Sequence, residues 1–150
     1  MSELKNKIHL HCLQLLDERL SQIKNSLNEL MKAKTNETKS SAGDKYETGR
    51  AMIHQEEEML LRQQASAKAE LARFQQLKPL AKNDRVVDGA LVHLSKGYFY
   101  ISAGWGKLQI PEMNCFAISI QSPLGQLIAH KSAQETFNWN GQEEKILEIC

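Results

Sequence analysis

From Leu13 onward the apolar residues Leu16, Leu20, Ile23, Leu27 and Leu30 follow at alternating steps of three and four. A step averaging about 3.5 residues keeps one apolar stripe turned toward a partner helix, the seam of a coiled coil. Asp17, Glu18, Arg19, Lys24, Asn25 and Glu29 fall between the seam positions and supply the solvated face. The pattern predicts a helix over 2–34. Residues 35–43 (TNETKSSAG) hold no large apolar side chain and end in glycine, which reads as the turn between two helices. Met52, Ile53, Met59, Leu60, Ala67, Leu71 and Phe74 then recur at helical spacing in a stretch, 50–78, without Gly or Pro. They predict a second helix, with Glu56, Glu57 and Glu58 interrupting its apolar stripe on a solvated face. Helices of this length reach roughly 45 Å at about 1.5 Å per residue, so residues 1–78 are expected to form a narrow antiparallel hairpin.

Pro79 stops the second helix, and the period changes to short β-favouring runs separated by turn residues. Strands are predicted at 90–94, 98–102, 107–110, 115–120, 136–139 and 145–149. Turns are predicted at 95–97, 104–106, 111–114 and at Asn140-Gly141, the last a strong two-residue hairpin signal. One short helix interrupts the strands, with Ser122 as its N-cap, Pro123 in its first turn, and Leu124, Leu127 and Ile128 as its buried face. The fold class is therefore α+β: an antiparallel two-helix coiled-coil hairpin, 1–78, then a small β-rich domain with one short helix, 79–150.

Composition narrows the function classes. The 150 residues carry 19 Lys and Arg against 18 Asp and Glu, a net charge of +1, so no overall basic field drives nucleic-acid binding. The 41% apolar content suffices for a modest core, and no run of eighteen apolar residues or signal-peptide pattern occurs. A cytoplasmic protein without a membrane span is expected. Cys12, Cys115 and Cys150 are widely spaced with no CxxC pair, which argues against a disulfide framework and a four-cysteine zinc site. His9 and His11 are two apart on one helix, and His54, His93 and His130 have no partner at ligand spacing, so no histidine metal site is indicated. No G-x-S-x-G nucleophile motif is present.

The chemistry gathers at the hairpin tip. Asp44 and Glu47 are three apart where the turn enters the second helix, so a helical turn places both carboxylates on one side. Together they can grip one hard cation. Mg²⁺ takes six oxygens, so two carboxylates make an incomplete site finished by water and by ligands from elsewhere. The plain alternative is a capping pattern, Asp44 as N-cap and Glu47 as a first-turn acid, both favourable at the positive end of the helix dipole. Lys32, Lys34, Lys39, Lys45 and Arg50 cluster toward the same end, as contacts for RNA or for a partner's carboxylates, or as the solvated flanks of a polar loop.

These residues resemble a known family, the Gre transcript-cleavage factors, over most of the chain. Gly43-Asp44-Lys45-Tyr46-Glu47 is similar to the family's G-D-x-x-E at the hairpin tip. The run Ala117-Ile118-Ser119-Ile120-Gln121-Ser122-Pro123-Leu124-Gly125 resembles the I-S-x-x-S-P that leads into the short helix of its FKBP-like C-terminal domain. The ending Lys145-Ile146-Leu147-Glu148-Ile149 is similar to its last strand. After Glu47 the family continues N-A-E-Y, where this chain has Thr48-Gly49-Arg50-Ala51; its G-K-x-x-G-D after the short helix is replaced by residues 130–135 (HKSAQE).

The resemblance implies a transcription elongation factor that binds RNA polymerase and inserts its hairpin tip into the secondary channel. Asp44 and Glu47 would hold a Mg²⁺ ion shared with the polymerase and not bound stably by the free protein, stimulating cleavage of backtracked RNA. The factor itself would be no nuclease. Lys45, Tyr46 and Arg50 at the tip, near the RNA 3′ segment, and Ser122 and Pro123 in the C-terminal domain would meet the partner. The free protein is expected to be a monomer. Two alternatives stay open: a secondary-channel regulator that does not stimulate cleavage, and a coiled-coil interaction module with an unrelated partner. Trp105, Tyr98, Phe99 and Tyr100 are read as β-core residues before an exposed binding face.

Overall fold

The computed structural model describes the backbone at residues 1–39 and 43–150, and side chains at these positions outside 37–47. Two long helices, α1 (Ser2–Lys39) and α2 (Gly43–Gln76), precede seven strands and one short helix. The strands are β1 (Leu91–Leu94), β2 (Gly97–Ile101), β3 (Gly106–Leu108), β4 (Cys115–Ile118), β5 (Thr136–Trp139), β6 (Gln142–Lys145) and β7 (Glu148–Ile149), with α3 (Pro123–Ile128) between β4 and β5. This is the α+β class expected from the two hydrophobic periods. The chain divides into two compact units: Cys12–Phe74, and Met1–His11 together with Gln75–Cys150. The first turns of α1 thus belong with the β-rich part, a grouping that periodicity does not reveal.

In the helical unit, two cross-helix ion pairs set the direction. Arg19 reaches Glu70 at 3.9 Å and Lys34 reaches Glu57 at 3.7 Å, so stepping up α1 is stepping down α2, an antiparallel hairpin. The α1 seam is the one its sequence predicts: Leu16, Ile23 and Leu30 are buried, and Leu13, Leu20 and Leu27 half-buried. The α2 seam differs. Leu60, Ala67 and Phe74 are buried, and Ile53, Glu57, Gln64 and Leu71 are half-buried at the intervening positions, while Met52 and Met59 are exposed. Two polar residues occupy seam positions, so a count of apolar residues drew the stripe partly onto the neighbouring face. Glu57 is tolerated there because it meets Lys34.

The expected turn also shortens. Residues 35–39 continue α1 and Gly43 already opens α2, where the composition had suggested a loop over 35–43. Polar side chains do not forbid a helix when they face water. Thr35 shows how one is accommodated, its hydroxyl donating to the Met31 carbonyl one turn back at 3.0 Å.

In the β-rich unit, five strands form one sheet in the order β3-β4-β2-β1-β7, and β5 and β6 form a separate hairpin. All pairings are antiparallel except β2 with β4. Register divides the sheet into two faces. Val92, Phe99, Phe116 and Ile149 are cross-strand neighbours on one face, and that face joins Leu124 and Ile128 of α3, Phe137 of β5 and Ile146 in the main apolar cluster. Leu91, Tyr100 and Ala117 line the other face. There Tyr100 is fully buried and bonded to His9 of α1.

The Asn140-Gly141 turn behaves as predicted, with φ of 53° and 77°, the doubly left-handed backbone of a type I′ hairpin. The strand it leads into, β6, is the polar run Gln142-Glu143-Glu144-Lys145, which carries no apolar alternation and was not foreseen. The single strand expected at 145–149 is split, since Ile146 leaves the ladder of β6 to enter the core and β7 begins at Glu148. The β5–β6 hairpin is fastened to the β1–β2 turn: Ser95 donates to Glu144 Oε2 at 2.6 Å, and Lys96 lies 4.4 Å over the Trp139 ring.

Candidate functional site

Asp44 and Glu47 lie in the opening turns of α2. Because Gly43 is already helical, Asp44 is inside the helix and not its flanking N-cap residue. Helical backbone through both positions is what brings residues three apart to one face. The side chains of Asp44, Lys45, Tyr46 and Glu47 lie outside the described residues. Just beyond them Thr48 and Arg50 are exposed, and His54 pairs with Glu58 one turn on at 3.3 Å. On α1 the facing stretch carries exposed Lys32 and Lys34, the latter held to Glu57. Among the described residues, no group of three or more His, Cys, Asp or Glu is placed to hold a metal ion.

The second predicted locus, Ser122 and Pro123, is a helix start built by its own sequence. The Ser122 hydroxyl donates to the Ser119 carbonyl at 2.6 Å and accepts from the Gly125 amide at 3.0 Å, so both of its capacities serve the turn. Pro123, exposed, occupies the first helical turn, where its missing N–H costs nothing. Gly125 is buried against the chain that precedes the helix, and a Cβ there would collide with the backbone of Ser119 and Ile120. The Ser-Pro-x-Gly run is therefore first a folding element, and Pro123 is the part of it presented to solvent. Leu124 and Ile128 are buried as expected, but Leu127 is exposed, its place on the covered face taken by Gly125.

A buried polar cluster in the β-rich unit was missed by sequence reasoning. Lys5 is fully buried, its ammonium donating to the carbonyl of Ala81 at 2.6 Å and to the backbone oxygen of Cys150 at 3.0 Å. One turn along α1, the His9 Nδ1 lies 2.7 Å from the Tyr100 hydroxyl. Desolvation pushes the Lys5 pKa down, opposed by charge at Cys150; it also pushes His9 down, helped by the Lys5 charge. The arrangement clamps helix, linker and last strand together and leaves no exposed reacting group. The available signal was the run Lys5, Ile8, His9, Cys12, a helical stripe continuous with the apolar seam, in which a lysine stood where a buried residue belonged. The Cys115 thiol, also buried, is raised to about 11 by desolvation and is therefore inert as a nucleophile.

Phe99 and Tyr100 are buried in the sheet as expected, and Tyr98 is half-buried, stacked on His93 across the strand pair at 4.3 Å. No helix among the described residues is long and apolar enough to cross a membrane.

No protein-family model matches this chain, and no curated protein matches it. Among solved structures, one described as the structure of the transcription factor Gfh1 is similar, with 18% identity, coverage of 91% of this chain and 92% of that chain, and a TM-score of 0.39. At that level of likeness the functional reading rests on this chain's own residues.

Proposed function

We propose that this chain is a factor that acts on RNA polymerase, entering its secondary channel with the tip of the α1–α2 hairpin and stimulating Mg²⁺-dependent cleavage of backtracked RNA. The observation that carries the reading is the position of Asp44 and Glu47, one helical turn apart in the opening turns of α2, where two long antiparallel helices meet. The similarity of Gly43-Asp44-Lys45-Tyr46-Glu47 and of Ser122-Pro123 to the Gre pattern supports the same partner. A carboxylate pair of this kind suits a shared ion: two acids supply too few oxygens for Mg²⁺ alone and leave positions for water and the polymerase's own acids. When bound, Mg²⁺ supplies electrostatic stabilisation and an activated water for phosphodiester hydrolysis. The chain's own part is to carry the two carboxylates to the reacting centre and to hold them on one helix face.

The test is to add the purified protein to stalled, backtracked polymerase complexes with Mg²⁺ and measure RNA shortening. Shortening that disappears in Asp44→Asn with Glu47→Gln supports the role of the pair. Shortening that survives unchanged in that variant overturns it.

One observation favours a second reading, a channel-binding regulator that does not promote cleavage. Arg50, exposed on α2, follows Glu47 by three residues, so the helix sets a cation on the face of the acid that would hold the metal. Altered promoter output with polymerase binding and no RNA shortening selects this reading.

A further inference from the structure

The sulfur atoms of this chain divide between two environments. All three thiols are shielded: Cys12 and Cys115 are fully buried and Cys150 is 5% exposed. Three of the five methionines lie open on the hairpin, Met31 at 67%, Met52 at 65% and Met59 at 44% exposed. The other two, Met1 and Met113, are half-buried. Each exposed methionine stands next to a seam residue, Met31 after the buried Leu30, Met52 before Ile53 and Met59 before the buried Leu60. One residue along a helix is a rotation of about 100°, which carries these side chains off the seam and into water. Met52 and Met59, nearly two whole turns apart, share one face of α2.

We infer that Met31, Met52 and Met59 are modification sites of this chain, oxidised by hydrogen peroxide to methionine sulfoxide while the cysteines are spared. In the step, a sulfur lone pair attacks one oxygen of the peroxide. An S–O bond forms, the O–O bond breaks, the sulfur gives up two electrons, and the second oxygen leaves with both hydrogens as water. The thioether needs only to be reached by the oxidant. A thiol reacts through its thiolate, which burial opposes; the Cys115 thiol, raised to about 11 by desolvation, stays protonated near neutrality. Burial therefore turns the oxidant from thiols to thioethers. The seam from Leu16 to Leu30 on α1 and from Leu60 to Phe74 on α2 holds no sulfur, so the sulfoxides make the hairpin surface more polar without entering its core. This inference is independent of the polymerase reading, since it needs no partner.

The test exposes the folded full chain to a short pulse of hydrogen peroxide at neutral pH and maps oxygen uptake on its peptides by mass spectrometry, with free thiols counted by alkylation after denaturation. Met31 and Met52 are expected to convert first and at similar rates, Met59 more slowly, and Met113 severalfold more slowly than Met52. All three cysteines are expected to remain alkylatable, and the helical circular-dichroism signal to be retained. In urea the differences among these methionines are expected to vanish. Combining Met31→Leu, Met52→Leu and Met59→Leu, substitutions on exposed positions, is expected to remove the fast phase of uptake. Loss of free thiol ahead of Met31 and Met52 oxidation overturns the inference. So does equal reactivity of Met113 in the folded chain, a fast phase that survives in the triple variant, or collapse of the helical signal as the sulfoxides form.

Discussion

His9 of the first helix and Tyr100 of the central strand β2 meet at 2.7 Å, Nδ1 to hydroxyl, with their rings edge to face. Both residues are buried, so neither can exchange this bond for water without opening the unit. Tyr100→Phe strips the imidazole of this contact and is expected to cost about 1–3 kcal/mol, the penalty for a buried polar group that loses its bond. Urea unfolding reads the loss, and a midpoint equal to wild type would show that the bond contributes nothing.

The burial of His9 gives stability a pH dependence. The folded-state pKa of His9 is lowered, first by desolvation and then by the Lys5 charge, so the unfolded chain takes up its proton first as pH falls. Stability is fully present above the ordinary histidine value of 6.5 and is lost as pH drops from there through the depressed folded value. Denaturation midpoints between pH 7 and pH 5 are expected to fall, and to fall less in His9→Gln. An equal slope in the variant would assign the effect to other groups.

The hairpin seam is tested by substitutions that separate apolar residues from buried ones. Leu60→Ala is expected to destabilise by roughly 2–5 kcal/mol and Phe74→Ala by roughly 3–5 kcal/mol. Met52→Ala and Met59→Ala, on exposed side chains, are expected to stay within about 0.5 kcal/mol of wild type. Thermal unfolding followed at a helix band distinguishes the two groups, and a large loss at Met59 would place the seam where the apolar pattern put it.

Lys34 and Glu57 form a polar layer beyond the buried Leu30 and Leu60. Both side chains are a third or more exposed, so a double-mutant cycle is expected to give about 0.2–1 kcal/mol at low salt. The coupling should vanish near 1 M salt, where screening acts over about 3 Å. Coupling of several kcal/mol, or one indifferent to salt, would contradict a solvent-screened pair.

Gly125→Ala forces a methyl group into the backbone of residues 119 and 120, and the penalty is expected to exceed that of Ser122→Ala, which removes a cap for about 1 kcal/mol. Melting temperatures of the two variants decide the order. Equal values would mean that the turn before α3 shifts freely.

How far the sequence was legible depends on whether one physical term dominated at each site. The α1 seam was legible because every seam position from Leu13 to Leu30 is a large aliphatic residue at coiled-coil steps. The Ser122 cap and the Asn140-Gly141 turn were legible because their backbone demands admit few residue types. The α2 seam was not, because Glu57 and Gln64 stand at seam positions through partners and geometry that only the folded chain supplies. Strand β6 was hidden by its charge, being held by its hairpin register and by Ser95 on Glu144 instead of by burial. Lys5 was hidden most completely, since its acceptors lie at Ala81 and Cys150, far along the chain. At the candidate site the acids are chosen from motif and place alone, on a backbone that is helical from Gly43.

The Lys5 clamp has a kinetic side. Its two acceptors are separated from it by 76 and 145 residues, so the N-terminal turns of α1 emerge from the ribosome long before the linker and β7 exist to receive them. Contacts of such long range are closed late, after the entropy of bringing the ends together has been overcome. Until then Ile8 and Leu16 have an apolar stripe to hide and Lys5 remains hydrated. The β-rich unit should therefore close slowly for its size, with the hairpin already formed as a local, fast-closing element.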